Sequence, residues 1–125
     1  MTPACQILVI DDDHDLRESL VDALIDNGHE VTAAENGDHA LRILRATETL
    51  PRLILLDLMM PVMDGIEFRA RQRADARLRD IPVVVLSADA AVQERAREMG
   101  VSGHSRKPVN LTQLYALVER CCGAR

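Results

Sequence analysis

Residues 53–65 read LILLDLMMPVMDG, and this stretch decides the fold. Four aliphatic residues, Leu53 to Leu56, run without a polar interruption into Asp57. A strand with one face in water alternates polar and apolar positions. An unbroken apolar strand is covered on both faces, as in a parallel sheet flanked by helices. Pro61 and Gly65 then punctuate a loop, so Asp57 stands at the tip of a buried strand. Carboxylates are rare in such places unless something pairs with them, which makes Asp57 the first candidate for chemistry.

Working outward, Val83–Leu86 repeats the pattern and ends at Ser87, while Gln6–Ile10 is an apolar run ending in Asp11, Asp12 and Asp13. Glu30–Ala34 alternates and Val101–Ser105 is short and polar, as suits exposed edges. Between these strands the period becomes helical. Leu16, Leu20, Ala23 and Leu24 form a stripe stopped by Gly28; Ala40, Leu41 and Leu44 form another before the Leu50-Pro51 break. Val92, Ala96 and Met99 precede Gly100, and Asn110 with Gln113 starts a last helix carrying Leu111, Leu114, Tyr115 and Val118. The third helix, Ile66 to Leu78, has only a thin stripe (Ile66, Ala70, Ala74, Leu78) broken by Arg69, Arg71, Gln72 and Arg73. It is expected to be the least tightly packed, with its arginines on a solvated face.

Strands alternating with helices predict an α/β fold, a five-stranded parallel sheet flanked by five helices in a three-layer α/β/α sandwich. The greasiest strands belong in the centre and the polar ones at the edges, which matches the flavodoxin-like order 2-1-3-4-5. Residues 1–125 then make a single domain, long enough to need no disulfide or structural metal.

Composition narrows the function. The core is aliphatic, with 47% hydrophobic but 2% aromatic residues, and a net charge of −5 without a basic run argues against direct nucleic-acid binding. No apolar run approaches the roughly 20 residues of a membrane span and no secretory signal opens the chain, so a cytoplasmic protein is expected. Cys5, Cys121 and Cys122 have neither zinc-ligand spacing nor secreted-framework density. They read as small, reduced, partly buried side chains, the alternative being a redox link from Cys5 to the C-terminal pair.

In a parallel sheet all strand C-termini share one edge, where ligands bind near the topological switch point. Asp11, Asp12 and Asp13, then Asp57, Ser87 and Lys107 all fall there, from four separate segments. Gathered carboxylates repel unless a cation neutralises them, and oxygen ligands of this kind suit Mg²⁺, which keeps waters and open positions for phosphate. Helix capping by Asp13 or Asp15 would account for one acid but not for three beside Asp57. Lys107 is the only lysine among fifteen basic residues. Its compact ammonium differs from the planar fork of arginine, so its place after the last strand stands out.

The segments ILVIDDD, LILLDLMMPVMDG, VVVLSA and RKP, in this order and spacing, resemble the receiver domains of two-component response regulators along essentially the whole chain. The resemblance implies a phosphorylation-dependent signalling switch rather than an enzyme. Asp57 would be the phosphoacceptor, taking a phosphoryl group from a phosphohistidine of a histidine kinase or phosphotransfer protein. Asp12, Asp57 and the Met59 backbone carbonyl would ligate Mg²⁺, with Asp11 acting through water. Ser87 and Lys107 would engage the phosphoryl group, with small Ala88 leaving room for it. Met59 and Asp89 would border the water path and tune the phosphoryl lifetime.

One departure concerns the residue three before the lysine. The family usually carries Tyr or Phe there, and this chain has His104. It is either a polar, titratable toggle coupled to Ser87 or an exposed histidine without a role. His14, His29 and His39 show no ligand spacing. Two rival readings compete with this one. A haloacid-dehalogenase-type phosphatase would use Asp11 and Asp13 but lacks a further acidic pair beyond Lys107 and leaves DLMMPVMDG unexplained; a phosphorylation-independent receiver-like binding module would not need the full acid set. No output domain is recognisable, which fits either a stand-alone receiver acting through protein contacts or one cut from a larger regulator or hybrid kinase. The downstream target is not legible.

Overall fold

The computed structural model describes residues 5–123. Five strands, β1 (Gln6–Ile10), β2 (Glu30–Ala34), β3 (Leu53–Asp57), β4 (Val83–Ser87) and β5 (Gly103–Arg106), form one sheet. They pair in parallel in the order β2-β1-β3-β4-β5, as expected. The helices between them are α1 (His14–Asp26), α2 (Gly37–Ala46), α3 (Gly65–Ala74), α4 (Val92–Met99) and α5 (Leu111–Gly123). Every residue of β3 and β4 is buried, whereas β2 alternates and β5 buries only Ser105 fully. The fifth strand starts later than the Val101–Ser105 reading, because Val101 closes the end of α4 through its bond to Ala96 O and pairing with β4 begins at Ser102 N–H.

Two aliphatic layers follow from the pleat. One face of the sheet places Leu8, Ile10, Ile54, Leu56, Val83 and Val85 against α2, α3 and α4. The other turns Ile7, Val9, Leu53, Leu55, Val84 and Leu86 towards α1 and α5. The helix starts follow the side-chain chemistry. Asp13, Asn36, Asp64 and Asn110 accept the amides of Leu16, His39, Glu67 and Gln113. Gly28 and Gly100 take positive φ just beyond α1 and α4, the backbone geometry that ends helices.

The third helix corrects the sequence reading. Of the predicted stripe only Leu78 is buried, and it lies beyond the end of the helix at Ala74; Ile66, Ala70 and Ala74 are exposed, while Gly65, Phe68, Arg69 and Gln72 face inward. Phe68, the only phenylalanine, and Gln72 are fully enclosed, so α3 is tightly packed. Arg69 lies 9% exposed and is no part of a solvated face. Polar burial of this kind is invisible to a hydrophobic period, because the carbonyls that satisfy it come from elsewhere in the chain.

The cysteines require a second correction. Cys5 and Cys122 are joined in a disulfide across a sequence separation of 117, Cα to Cα 5.8 Å, leaving Cys121 as the free thiol. The reduced reading fails because α5 crosses the sheet and ends beside the start of β1. His29 is buried at the same corner, where its Nδ1 accepts the Cys5 amide and its Nε2 has no partner among the described residues. Burial pulls the His29 imidazole below its ordinary value.

Candidate functional site

The C-terminal tips of β1, β3, β4 and β5 bring together the residues singled out from sequence. Asp11 is 1%, Asp57 4% and Ser87 0% exposed, whereas Asp12 stands in solvent. One carboxylate oxygen from each of Asp11, Asp12 and Asp57 lies within 4.8 Å of the others. Asp13 is outside this cluster, its oxygen occupied in capping α1. The Asp-x-Asp pair that the phosphatase alternative needs therefore does not converge.

Lys107 reaches back into the pocket from the segment after β5. Its Nζ lies 2.8 Å from Asp11 Oδ2 and 3.4 Å from Asp57 Oδ1, and its backbone N–H donates to Ser87 O at 2.8 Å. The Lys107–Pro108 peptide is cis. The Ser87 hydroxyl accepts the Asp89 amide at 3.1 Å, tying the end of β4 to the turn before α4. Arg17 adds a contact that the sequence did not reveal: its guanidinium donates to the Asp11 carbonyl at 2.8 Å from one turn into α1.

The charges in the pocket do not cancel. Burial first, and then the Asp11 carboxylate, raise Asp57 from 3.8 to about 6; Lys107 and the Met59 amide oppose this without overcoming it. Burial works against the Lys107 ammonium too, but the Asp11 hydrogen bond and the Asp57 and Asp11 charges outweigh it and raise its value overall. Lys107 is therefore firmly charged while Asp57 remains short of neutralisation. Such a group, buried beside like charge at a strand tip, is what a bound cation would relieve.

The loop after β3 fits tightly around the acceptor strand. Gly65 N–H donates to Leu58 O, and a side chain at Gly65 would collide with the Asp57 carbonyl oxygen, so the start of α3 lies directly on the strand end. Met63 N–H donates to Pro61 O around Val62, whose φ of 69° is left-handed, and Met63 O accepts Gly37 N–H from α2. Met59 and Val62 project outward as an apolar rim, 74% and 82% exposed. His104 lies apart from the acids, exposed on β5 over a hollow between α4 and α5 that Arg97 and Arg120 also line.

A parallel sheet with an acid cluster, a buried hydroxyl and one ammonium at its switch point defines a class of phosphate-handling α/β domains. Comparison with known proteins resolves the class. The model of the response regulator receiver domain matches residues 7–119. The chain is 42% identical over 116 residues to the transcriptional regulatory protein PrrA of Mycobacterium leprae, covering 91% of this chain and 48% of PrrA. It therefore spans about half the length of that relative. An uncharacterised 14.6 kDa protein of Leptolyngbya boryana is 38% identical, with 93% of this chain and 88% of that one covered. Among solved structures, the signal receiver domain of a histidine kinase from Syntrophus aciditrophicus superposes with a TM-score of 0.86 at 31% identity, covering 96% and 91% of the two chains. The chain belongs to the response regulator receiver domain family, and it is a signalling regulator of the two-component kind.

Proposed function

We propose that Asp57 is the phosphoacceptor, receiving a phosphoryl group from the phosphohistidine of a histidine kinase or phosphotransfer protein in the cytoplasm. The convergence of Asp11, Asp12 and Asp57 with Lys107 carries this reading. Attack by an Asp57 carboxylate oxygen on phosphorus breaks the bond to the donor nitrogen and leaves an acyl phosphate on the chain. Such a transfer depends on holding donor and acceptor in line and on neutralising the charge that spreads over the phosphoryl oxygens.

The donor set, all oxygen and underneutralised, fits Mg²⁺. Asp12, Asp57 and the Met59 carbonyl would hold it, with Asp11 through water. When bound, the ion supplies charge neutralisation at the phosphoryl oxygens. Lys107 then serves as the fixed ammonium at the pocket floor, and Asp11 and the Ser87 carbonyl keep it in place. The Ser87 hydroxyl is available to the new phosphoryl group, drawing with it the turn through Asp89 that leads into α4. In this reading the domain promotes only its own phosphorylation and dephosphorylation. The readout is a protein-interaction surface formed by α4, β5 and α5, with His104 as the toggle coupled to Ser87.

Intact-mass measurement after incubation with acetyl phosphate and Mg²⁺ tests the acceptor. The expected result is one phosphoryl adduct on the wild type and none on Asp57→Asn. Equal adducts on both, or none on either, overturns the assignment. For the toggle, NMR shifts on phosphorylation should differ between wild type and His104→Phe around α4 and β5; identical shifts at two pH values remove His104 from the switch.

A further inference from the structure

The signalling reading leaves unused a buried cation on the far side of the acceptor loop. The Arg69 guanidinium sits between α3 and the end of α4 with no carboxylate near it among the described residues. Its Nε donates to Met99 O at 3.2 Å, its Nη2 to Gly100 O at 2.9 Å, and its Nη1 to Gln72 Oε1 at 2.8 Å. The fully buried Gln72 amide in turn donates to Leu78 O and Ile81 O, both at 3.0 Å, on the segment entering β4. Arg73 adds a longer bond to Met99 O. The last carbonyls of a helix lack partners within it and carry partial negative charge, so a guanidinium there both fills their hydrogen bonds and complements the dipole. The network fastens three segments at one point.

The opposite end of α4 is built differently. Ala91 occupies its N-cap without a side-chain hydrogen bond, while Asp89 Oδ1 accepts Ala91 N–H at 2.9 Å and Asp89 Oδ2 lies 3.6 Å from Arg95 Nε. The turn and the first turn of α4, with Val92 buried, thus form one unit. Among the described residues, the side-chain bond that joins this unit to the site is Asp89 N–H to the Ser87 hydroxyl. The C-terminal end has Gly100 in the left-handed conformation and its amide bonded to the last turn, in addition to Arg69. Thus α4, eight residues or about 12 Å long, has one clamped end and one end hung from the phosphoryl-contacting residue. Meanwhile α3, which carries the clamp, begins against Asp57 itself.

We infer that Arg69 is a positioning residue that makes the C-terminal end of α4 a pivot, so that phosphorylation swings the N-terminal end of α4 instead of sliding or melting the whole helix. This rests on Asp57 being the acceptor. Movement is then largest at residues 88–95, next to His104, and smallest at 96–101. The guanidinium has no part in the transfer, and its removal leaves the acid pocket intact.

Hydrogen exchange of the full chain, with and without acetyl phosphate and Mg²⁺, tests the pivot, with intact mass recorded on every sample. In the wild type, phosphorylation should change exchange in 88–95 while 96–101 stays as protected as before. In Arg69→Met the adduct should form as in the wild type, yet amides of 96–101 should exchange at least tenfold faster, and the phosphorylation response should spread along all of α4. Arg69→Lys, which can restore one of the carbonyl bonds, should recover part of that protection. The inference is overturned if wild-type phosphorylation alters 96–101 as much as 88–95, a result that requires no variant to fold. It is also overturned if Arg69→Met confines the response as the wild type does. Loss of the wild-type adduct would instead refute the acceptor assignment, and the pivot with it.

Discussion

Replacing Asp57 by asparagine in the metal-free protein is predicted to stabilise the fold at neutral pH and to change little in acid. Burial and the Asp11 carboxylate raise Asp57 from 3.8 to about 6. The folded state then holds this proton more tightly than the unfolded chain. Its contribution is fully present below the unfolded value and is lost as pH climbs through the folded one. A rise of about two in pKa, at about 1.4 kcal/mol each, means that the ionised carboxylate costs about 3 kcal/mol at pH 7. An amide stands in for the protonated carboxyl and removes that cost; the attraction to Lys107 Nζ at 3.4 Å is already contained in the net rise, so the gain is about 3 kcal/mol. For a domain of this size that is a Tm increase of about 12 °C. Urea unfolding in EDTA at about pH 4.5, 6 and 7.5 should show the Asn advantage appear across this interval. Mg²⁺ at about ten times its Kd should stabilise the wild type by about 1.4 kcal/mol and the variant by less. An Asn variant less stable at pH 7.5, or an advantage equal at all three pH values, would refute the electrostatic account.

Three further outcomes follow from features away from the pocket. Cys122→Ala, or reduction of the Cys5–Cys122 bond, opens a loop of 117 in sequence and should lower stability by up to about 5 kcal/mol, read from denaturant midpoints; an unchanged midpoint between oxidised and reduced protein would contradict it. Val62→Gly accepts the positive φ of the tight turn closed by Met63 N–H on Pro61 O, which a β-branched residue resists, and should gain about 1 kcal/mol, a thermal shift of about 4 °C that a neutral or negative Tm change would deny. His29, buried and depressed, favours the neutral ring in the fold, so its contribution is present above the unfolded value near 6.5 and declines as pH drops below it. In an Asp57→Asn background, which silences the opposing carboxylate, His29→Gln should flatten the loss of stability between about pH 7 and 5, and an unaltered slope would discount the imidazole.

Strand order, helix count and the converging acids were legible because each depends on local pattern plus one rule, that parallel strands end on a common edge. Leu53 to Leu56 and Val83 to Leu86 announced their own burial. Asp13 shows where that logic thins: its position matches those of Asp11 and Asp12, and only the capping of Leu16 N–H separates it from the cluster. The face of α3 was misread because Arg69 and Gln72 are buried on the strength of carbonyls about thirty and six to nine residues away, respectively. The disulfide stood only as the lesser alternative for a similar reason, since nothing near Cys5 in sequence indicates that α5 terminates beside it. Arg17 was passed over as one of fourteen arginines, with no signal that its reach would end on the Asp11 carbonyl.

The sulfur bridge has a mechanical consequence. Cys5 precedes β1 and Cys122 lies in the last turn of α5, so both sit at the pole of the sheet opposite the carboxylates. Tension applied through polypeptide attached at these two points would be borne by the covalent cross-link, and the strands between them would feel almost none of it. Cargo tethered at that corner would leave the opposite pole open to an approaching donor.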